Sequence, residues 1–243
     1  MSSNQPSTRR ASADQSAAVT AAIAAKRTDE GLAMLRAAAD MEDRNEKHIV
    51  TPGRIVPASR PITIRDLLSH TSGLMSSGAS TLYPMSIGAG ETLAQALPRL
   101  AAIPLDFEPG TRWAYSPQFG FDVLARIVEV ASGMPLDQFL AQRVFGPLGM
   151  KDSFFYRSGL DARKPTLYQR IDGALKRVPD GAWMNGAYFS GGGGLTSTAE
   201  DYLRFALLLA NLGELDGTRL LSRRSVEMLA SAFAPDTLPG RNA

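Results

Sequence analysis

The amino-acid sequence predicts an α+β protein in which helices predominate and strands are short. Apolar residues recur at helical spacing over residues 119–131 and again after residue 198. Short runs rich in β-branched and aromatic residues occur between residues 153 and 195. We therefore expect a helical subdomain over about residues 64–150, followed by parts of an incomplete antiparallel sheet region over about 153–195.

The composition excludes several classes of function. Of the 243 residues, 44% are hydrophobic, which is ordinary for a protein with a packed core. The net charge of +2 is too small for a nucleic-acid surface, and no apolar run approaches the roughly 20 residues of a membrane helix. With no cysteine and only His48 and His70 as imidazoles, a metal site is not expected. We expect no nucleic-acid or membrane partner.

The N-terminal region resembles a targeting signal only superficially. Arg9 and Arg10 precede the Ala-rich run Ala17–Ala25, but Asp14 interrupts the approach and Lys26 follows the run at once. We therefore expect a cytoplasmic protein. Residues 1–60 are interpreted as a poorly ordered or atypical N-terminal segment, and residues 61–243 as the domain that carries the chemistry.

The first predicted helix runs from Ile64 to about His70. Thr63 occupies the position of a helix cap, and Asp66 lies three residues on as a capping-box partner. Gly73 can take the left-handed conformation that ends a helix.

The next helices are predicted from residue 119 onwards. Over Phe119–Ala131 the polar residues form one narrow stripe, so this helix should be largely buried. Ser132-Gly133 ends it, Pro135 suits the first turn of a second helix through Phe145, and Gly146–Gly149 breaks the chain again. The stripe consists of Asp122, Arg126 and Glu129.

Phe154–Tyr156 and Thr166–Arg170 have the composition of strands. The glycine run 191–194 lacks the Lys-Ser/Thr of a phosphate-binding loop, and we interpret it as permitting close backbone packing.

Two more helices are predicted in the last third of the chain. Ser197 and Glu200 would form a capping box, and Ser222 would cap a last helix through about Ala232. The first of these helices is expected to bury one face, made of Tyr202, Phe205, Ala206 and Leu209.

Several segments, in the same order along the chain, resemble the signature of serine β-lactamase-like, penicillin-binding-fold hydrolases. The resemblance is closest to the family VIII carboxylesterase branch, which is related to class C β-lactamases. It covers roughly residues 52–230 and implies a β-lactamase/penicillin-binding-like fold, represented mainly by its helical subdomain. The segments are Ile62–Leu74, Glu108–Gly110, Trp113–Ser116, Asp122–Leu124, Pro147–Met150 and Gly191–Tyr202.

The resemblance implies acyl transfer without a cofactor, through a serine acyl-enzyme formed from a small ester or a β-lactam-like substrate. Tyr115 matches the family's catalytic tyrosine, which exchanges a proton during the reaction. By residue type alone, Tyr115 would be read as an aromatic side chain packed beside Trp113. Ser116 is a candidate substrate contact, and Trp183 is a second one that could equally be a loop anchor.

Two further residues refine this interpretation. Pro117 stands where many relatives have an Asn that holds the amide of a β-lactam side chain, and this substitution favours esters. His70 is interpreted as a structural residue that hydrogen-bonds its turn and points into packing, not as a catalytic base.

The family's Ser-x-x-Lys motif is absent from this chain. The residues three positions before Lys26, Lys47, Lys151, Lys164 and Lys176 are Ile23, Arg44, Leu148, Asp161 and Gly173. Ser12, near the position that the family's spacing favours, is followed three residues later by Gln15, which cannot accept its proton.

The absence leaves two interpretations open. The chain is a catalytically incomplete copy of an ester hydrolase, truncated at both ends, or it is a non-catalytic scaffold or binding module. A β-lactam hydrolase or peptidase is a further alternative for the branch. The sequence leaves the oligomeric state undetermined.

Overall fold

A computed structural model describes residues 48–51, 54–76, 86–155, 163, 165–177, 186–232 and 234–240. The helices in this part are α1 (Ile64–Leu68), α2 (Leu93–Leu100), α3 (Phe119–Ser132), α4 (Leu136–Leu140), a π-helical turn (Ala141–Phe145), α5 (Gly146–Leu148), α6 (Ala199–Ala210) and α7 (Arg223–Leu229). The strands are β1 (His48–Thr51), β2 (Arg54–Pro57), β3 (Tyr168–Ile171), β4 (Ala174–Arg177), β5 (Glu214–Leu215) and β6 (Thr218–Arg219). The predicted boundary at residue 60 stays a prediction.

The strands of the described residues pair into separate antiparallel hairpins. In β1–β2, His48 lies opposite Pro57, and in β3–β4, Tyr168 lies opposite Arg177. The strand predicted at Phe154–Tyr156 is reduced to a single bridge between Phe154 and Thr196, and Tyr156 lies outside the described residues. The second predicted strand begins later than expected, at Tyr168, because the reversal at Asp172-Gly173 sets the register of the hairpin.

Helix α1 begins as the sequence predicted. The Thr63 hydroxyl accepts from the Asp66 backbone N–H, and the Asp66 carboxylate accepts from the Thr63 N–H at 2.8 Å. The predicted end was wrong, because α1 stops at Leu68 and the turn that follows places His70, a non-glycine residue, at φ 56°. Gly73 does take a positive φ of 75°, but it lies beyond the helix, close against the backbone of Phe107.

Helix α3 is the central element of the helical part. It spans Phe119–Ser132 and ends at Gly133, whose φ of 70° supplies the left-handed cap. The prediction of a largely buried helix is confirmed, since residues 119–130 are all buried or partly buried. The second helix continues beyond the predicted break, because 146–148 add one more turn before Gly149 ends it at φ 66°.

Two apolar clusters hold these helices together. The larger packs α1, α2 and α3 around Leu67, Leu93, Leu100, Leu105 and Phe119, each no more than 2% exposed. The smaller packs α6 against the end of the π-helical turn. Burying a Leu or Phe side chain of this kind contributes roughly 1.5–3 kcal/mol before entropy is subtracted.

Helix α6 exists as predicted, but its cap and its buried face differ. Thr198 is the cap, with its hydroxyl accepting from the Asp201 N–H at 3.2 Å, so the predicted Ser197–Glu200 capping box is wrong. The buried residues are Asp201 and Leu208, whereas Tyr202 is 65% exposed and Ala206 is also exposed. Asp201 is turned inward because it accepts from the Asp152 N–H and from the Ser153 hydroxyl.

The last helix, α7, is capped by Ser222 as predicted, with a hydrogen bond of 3.0 Å from the Ser225 N–H. It ends at Leu229, before the predicted Ala232. Across the described ranges, no helix is both long and apolar enough to cross a membrane.

Candidate active site

Tyr115 lies on the loop that leads into α3, and its side chain is 51% exposed. The residue before it, Ala114, donates its backbone N–H to the His70 carbonyl at 3.0 Å. Two residues earlier, the Trp113 N–H donates to the carbonyl of Pro239 at 2.9 Å, so the 234–240 loop packs against the same segment. The backbone is thus fixed immediately before a phenol that remains accessible to solvent.

Ser116 is buried directly after Tyr115, with 1% of its surface exposed. Its hydroxyl accepts from the N–H of Gly120, the second residue of α3, at 3.0 Å. The hydroxyl therefore serves the start of the helix, as a helix-capping side chain does. Its expected role as a substrate contact stays a prediction, and so does that of Trp183, which lies outside the described residues.

His70 occupies a turn and packs among aromatic rings, which confirms the predicted placement of its side chain, while its predicted lack of a catalytic role stays a prediction. Its ring centroid lies 4.7 Å from that of Tyr115, 5.4 Å from Phe121 and 6.1 Å from Trp113. Burial lowers the pKa of His70 below its usual value. The imidazole is therefore neutral near pH 7.

Asp122 is the functional-site neighbour that sequence reasoning missed. It belongs to the polar stripe of α3, yet it is 0% exposed. Its carboxylate accepts from the Tyr188 hydroxyl at 2.6 Å, from the Ser190 hydroxyl at 2.5 Å and from the Gly191 N–H at 2.9 Å. The signal that could have found it was an acid flanked on both sides by apolar residues inside a helix expected to be buried.

The electrostatics of Asp122 differ from those of an ion pair. Burial raises its pKa, and the hydrogen bonds from Ser190, Tyr188 and Gly191 oppose that shift. Burial, together with the hydrogen bond to the same carboxylate, raises the pKa of Tyr188 well above its usual value. Neutral donors therefore hold this buried acid.

The glycine run packs closely against the first turn of α3, which confirms that interpretation. A Cβ at Gly191 would collide with the Phe121 carbonyl, and one at Gly192 would lie 2.9 Å from the Gln118 Cα. Gly193, by contrast, faces open space. Asp122 and the two close glycines thus lock the loop 188–192 to the part of α3 that adjoins Tyr115.

The chemistry available at this site is proton exchange by a solvent-accessible phenol. Within the described stretches, no group of three or more His, Cys, Asp or Glu side chains is placed to hold a metal ion. In acyl transfer of the serine-hydrolase type, the nucleophile is a serine activated by an adjacent base. The sequence contains no Ser-x-x-Lys pair for that step.

The fold and these segments define the class of protein. The family model for beta-lactamase matches residues 4–241. The chain therefore belongs to the beta-lactamase family and has the α+β β-lactamase/penicillin-binding fold, as the resemblance in the sequence implied.

Named relatives and a solved structure refine this assignment. Esterase EstB of Burkholderia gladioli is 35% identical over 194 residues, covering 68% of this chain and 49% of EstB. Lovastatin esterase of Penicillium rubens is 35% identical over 173 residues, covering 65% of this chain and 42% of the esterase. The structure of EstCE1, a hydrolase with promiscuous acyltransferase activity, matches with a TM-score of 0.58 and 28% identity, covering 74% of this chain and 52% of EstCE1. The chain spans about half the length of the curated relatives it matches.

Proposed function

We propose that this chain is the central part of a serine hydrolase that transfers the acyl group of small carboxylic esters through a serine acyl-enzyme. The observation that carries the proposal is Tyr115, a half-exposed phenol on a loop whose backbone is fixed at Ala114 and Ser116. In this reaction the phenol would exchange a proton with the nucleophile and the leaving alcohol, and no cofactor would take part.

The preference for esters rests on one residue and on the relatives. Pro117 offers no side-chain hydrogen bond where a β-lactam side chain would need one. EstB and lovastatin esterase are both named as esterases. We therefore place small esters before β-lactams and peptides as substrates.

We further propose that this chain is catalytically incomplete by itself, because it lacks the Ser-x-x-Lys motif. A general acid-base group contributes about 100- to 10,000-fold, and only when a nucleophile shares its geometry. Without Ser-x-x-Lys, this contribution has no step to accelerate. A non-catalytic binding module of the same fold is the second candidate, with which the missing motif is also compatible.

The direct test is hydrolysis by the purified chain. We would measure turnover of p-nitrophenyl butyrate and of nitrocefin beside the variants Tyr115→Phe and Ser12→Ala. We expect no enzymatic turnover with either substrate. Turnover on the order of 1 per second or more, abolished by either substitution, would show that the chain carries its own nucleophile.

Reading the DNA on both sides of the coding sequence separates the two candidates. A Ser-x-x-Lys codon pattern upstream, in any frame, supports the shortened hydrolase. Its absence supports the binding module. If the pattern is found, expression with that segment restored should give esterase activity that Tyr115→Phe lowers by about 100- to 10,000-fold.

A further inference from the structure

A single residue, His70, contacts the chain on both sides of Tyr115. Its backbone carbonyl accepts from the Ala114 N–H at 3.0 Å, and its Nδ1 accepts from the Ser116 N–H at 3.5 Å. The residue before the phenol and the residue after it are therefore both bound to the same partner. This arrangement fixes the direction in which the Tyr115 side chain leaves the backbone.

The backbone of His70 is shaped for this task. Its φ of 56° lies in the left-handed region, which is uncommon for a residue other than glycine. The conformation turns its carbonyl towards Ala114. A strained backbone at a residue that contacts a functional group indicates a role for the side chain, because glycine would adopt the same turn at lower cost.

The side chain is in the state that this contact requires. Nδ1 can accept from Ser116 only when it carries no proton, so the imidazole is the neutral tautomer with its proton on Nε2. Burial, which disfavours the imidazolium, stabilises that state.

The ring of His70 also forms one wall for the phenol ring. The two centroids lie 4.7 Å apart with an interplanar angle of 52°, and Phe121 closes the cluster at 5.4 Å from His70 and 6.1 Å from Tyr115. Phe121 is itself fixed, since α3 begins at the Ser116–Gly120 hydrogen bond and is locked to Gly191. Two rings on a rigid frame thus restrict the rotation of a side chain that is still half exposed.

We propose that His70 is the positioning residue for Tyr115: its carbonyl and Nδ1 fix the flanking backbone, and its ring limits the rotamers of the phenol. The role assigned to the phenol rests on the proposed function, but the positioning itself does not. A preorganised proton-exchange group loses less freedom when substrate binds, which is the advantage of such an arrangement.

The test compares tyrosines of similar exposure within the same molecule. Tyr115 is 51% exposed, and Tyr168 and Tyr202 are 59% and 65% exposed. We would nitrate the native chain with tetranitromethane and follow each tyrosine by peptide mass spectrometry. Exposure alone predicts nearly equal rates, whereas positioning by His70 predicts that Tyr115 reacts more slowly than both references.

Two substitutions separate the contribution of the His70 side chain from that of its backbone carbonyl. His70→Gly accommodates the positive φ and keeps the carbonyl, but it removes the ring and Nδ1, so the Tyr115 rate should rise to that of Tyr168 and Tyr202. His70→Asn also tolerates the positive φ and retains an acceptor, so it should give an intermediate rate. If the nitration rate of Tyr115 relative to those of Tyr168 and Tyr202 is unchanged in folded His70→Gly, the proposal is overturned.

A measurement on the unsubstituted chain covers the case in which neither variant folds. In a 3-fluorotyrosine-labelled sample, with the signal assigned by Tyr115→Phe, the Tyr115 resonance should be displaced from those of Tyr168 and Tyr202 by the rings of His70 and Phe121. A Tyr115 signal at the position of a free tyrosine would also overturn the proposal. Neither readout requires turnover, so failure of the proposed function is detected separately by the ester assay.

Discussion

Two buried carboxylates, Asp66 in α1 and Asp122 in α3, are stabilised in opposite ways. Asp66 is 5% exposed and accepts from both terminal nitrogens of the Arg60 guanidinium, at 2.8 and 3.0 Å. Asp122 is 0% exposed and has only hydroxyl and backbone donors among its described contacts. The two buried carboxylates therefore differ in the kind of donor that holds them.

The pKa values express this difference. Burial alone would raise the pKa of Asp66, but hydrogen bonds from Arg60 and Thr63 and the charge of Arg60 outweigh it and lower the pKa to about 2. At Asp122 the burial dominates, and the pKa is raised. The lower pKa thus belongs to the acid that accepts hydrogen bonds from a guanidinium and loses less contact with solvent, whereas the desolvation of Asp122 exceeds the effect of its neutral donors.

Removal of Asp122 should have the largest effect. Asp122→Ala leaves the Tyr188 hydroxyl, the Ser190 hydroxyl and the Gly191 N–H without their acceptor. Of these donors only Tyr188 is buried, and an orphaned buried donor costs about 1–3 kcal/mol, so we expect a loss of roughly 3 kcal/mol in the free energy of unfolding, measured in urea. Asp122→Asn, which keeps the volume and one carbonyl, should lose much less. Equal losses in the two variants would contradict the hydrogen-bond explanation.

The glycine contact beside Asp122 should have the next largest effect. Gly191→Ala forces a methyl group against the Phe121 carbonyl, and overpacking of this kind costs roughly 1–3 kcal/mol. Gly193→Ala is the matched control, because nothing lies within 4 Å of its Cβ position. We expect the control to stay within about 0.5 kcal/mol of the parent in chemical denaturation. A control as destabilised as Gly191→Ala would mean that the whole run requires glycine for backbone reasons.

The two acids should give opposite pH dependences. Asp66, whose folded pKa lies near 2, contributes stability above its ordinary value of 3.8 that is lost as the pH falls towards 2. Asp122, whose folded pKa is raised, contributes stability at low pH that declines as the pH rises above 3.8. We would measure the free energy of unfolding from about pH 2 to pH 6. In Asp66→Asn, the increase in stability with rising pH should be smaller than in the parent. In Asp122→Asn, the decrease in stability with rising pH should be smaller. Slopes of the same sign for both residues would refute this assignment.

Loss of the cation beside Asp66 should have a smaller effect. Arg60→Gln removes the charge but can leave one hydrogen bond, and the Arg60 side chain is 41% exposed, so water replaces part of the interaction. We expect the free energy of unfolding to fall by about 1 kcal/mol near pH 7. This is less than for a fully buried ion pair, because the Arg60 side chain is partly exposed. Arg99→Gln, at the ion pair with Glu91, is the exposed control and should change stability by less.

The Tyr115 hydroxyl should matter least for stability. Tyr115→Phe removes a hydroxyl from a half-exposed side chain while retaining the ring contacts with His70 and Phe121. We expect a change within about 0.5 kcal/mol in thermal or chemical unfolding. A larger loss would assign Tyr115 a structural role in place of the proposed chemical one.

Much of the local structure was predictable from short stretches of sequence. Thr63 with Asp66, Ser222 and Gly133 specify helix ends through contacts within a few residues, and all three were recognised. The motif at Trp113–Ser116 located Tyr115, and the glycine run predicted a close backbone contact that the structure contains. The predicted catalytic role of Tyr115 remains to be tested.

Which face of a helix is buried could not be predicted with the same success. The spacing of α6 was recognised, but Asp201 and Leu208 face inward in place of Tyr202 and Ala206. Asp201 is held by Ser153, 48 residues earlier in the chain, and that partner leaves no mark on the pattern of α6 itself. Periodicity identifies a helix, whereas the neighbouring elements decide which of its faces is buried.

The sequence by itself determined the family, most of the helices and the position of Tyr115, because these depend on local spacing and on motifs read in order. Helix α2 (Leu93–Leu100) was not predicted. The tertiary structure decided that Asp122 is buried and that His70 flanks Tyr115. The partners of Asp122 lie 66 to 69 residues away, and His70 lies 46 residues from Ser116. Burial and pKa depend on the atoms that surround a side chain in space, and contacts at such separations arise only when the helices pack.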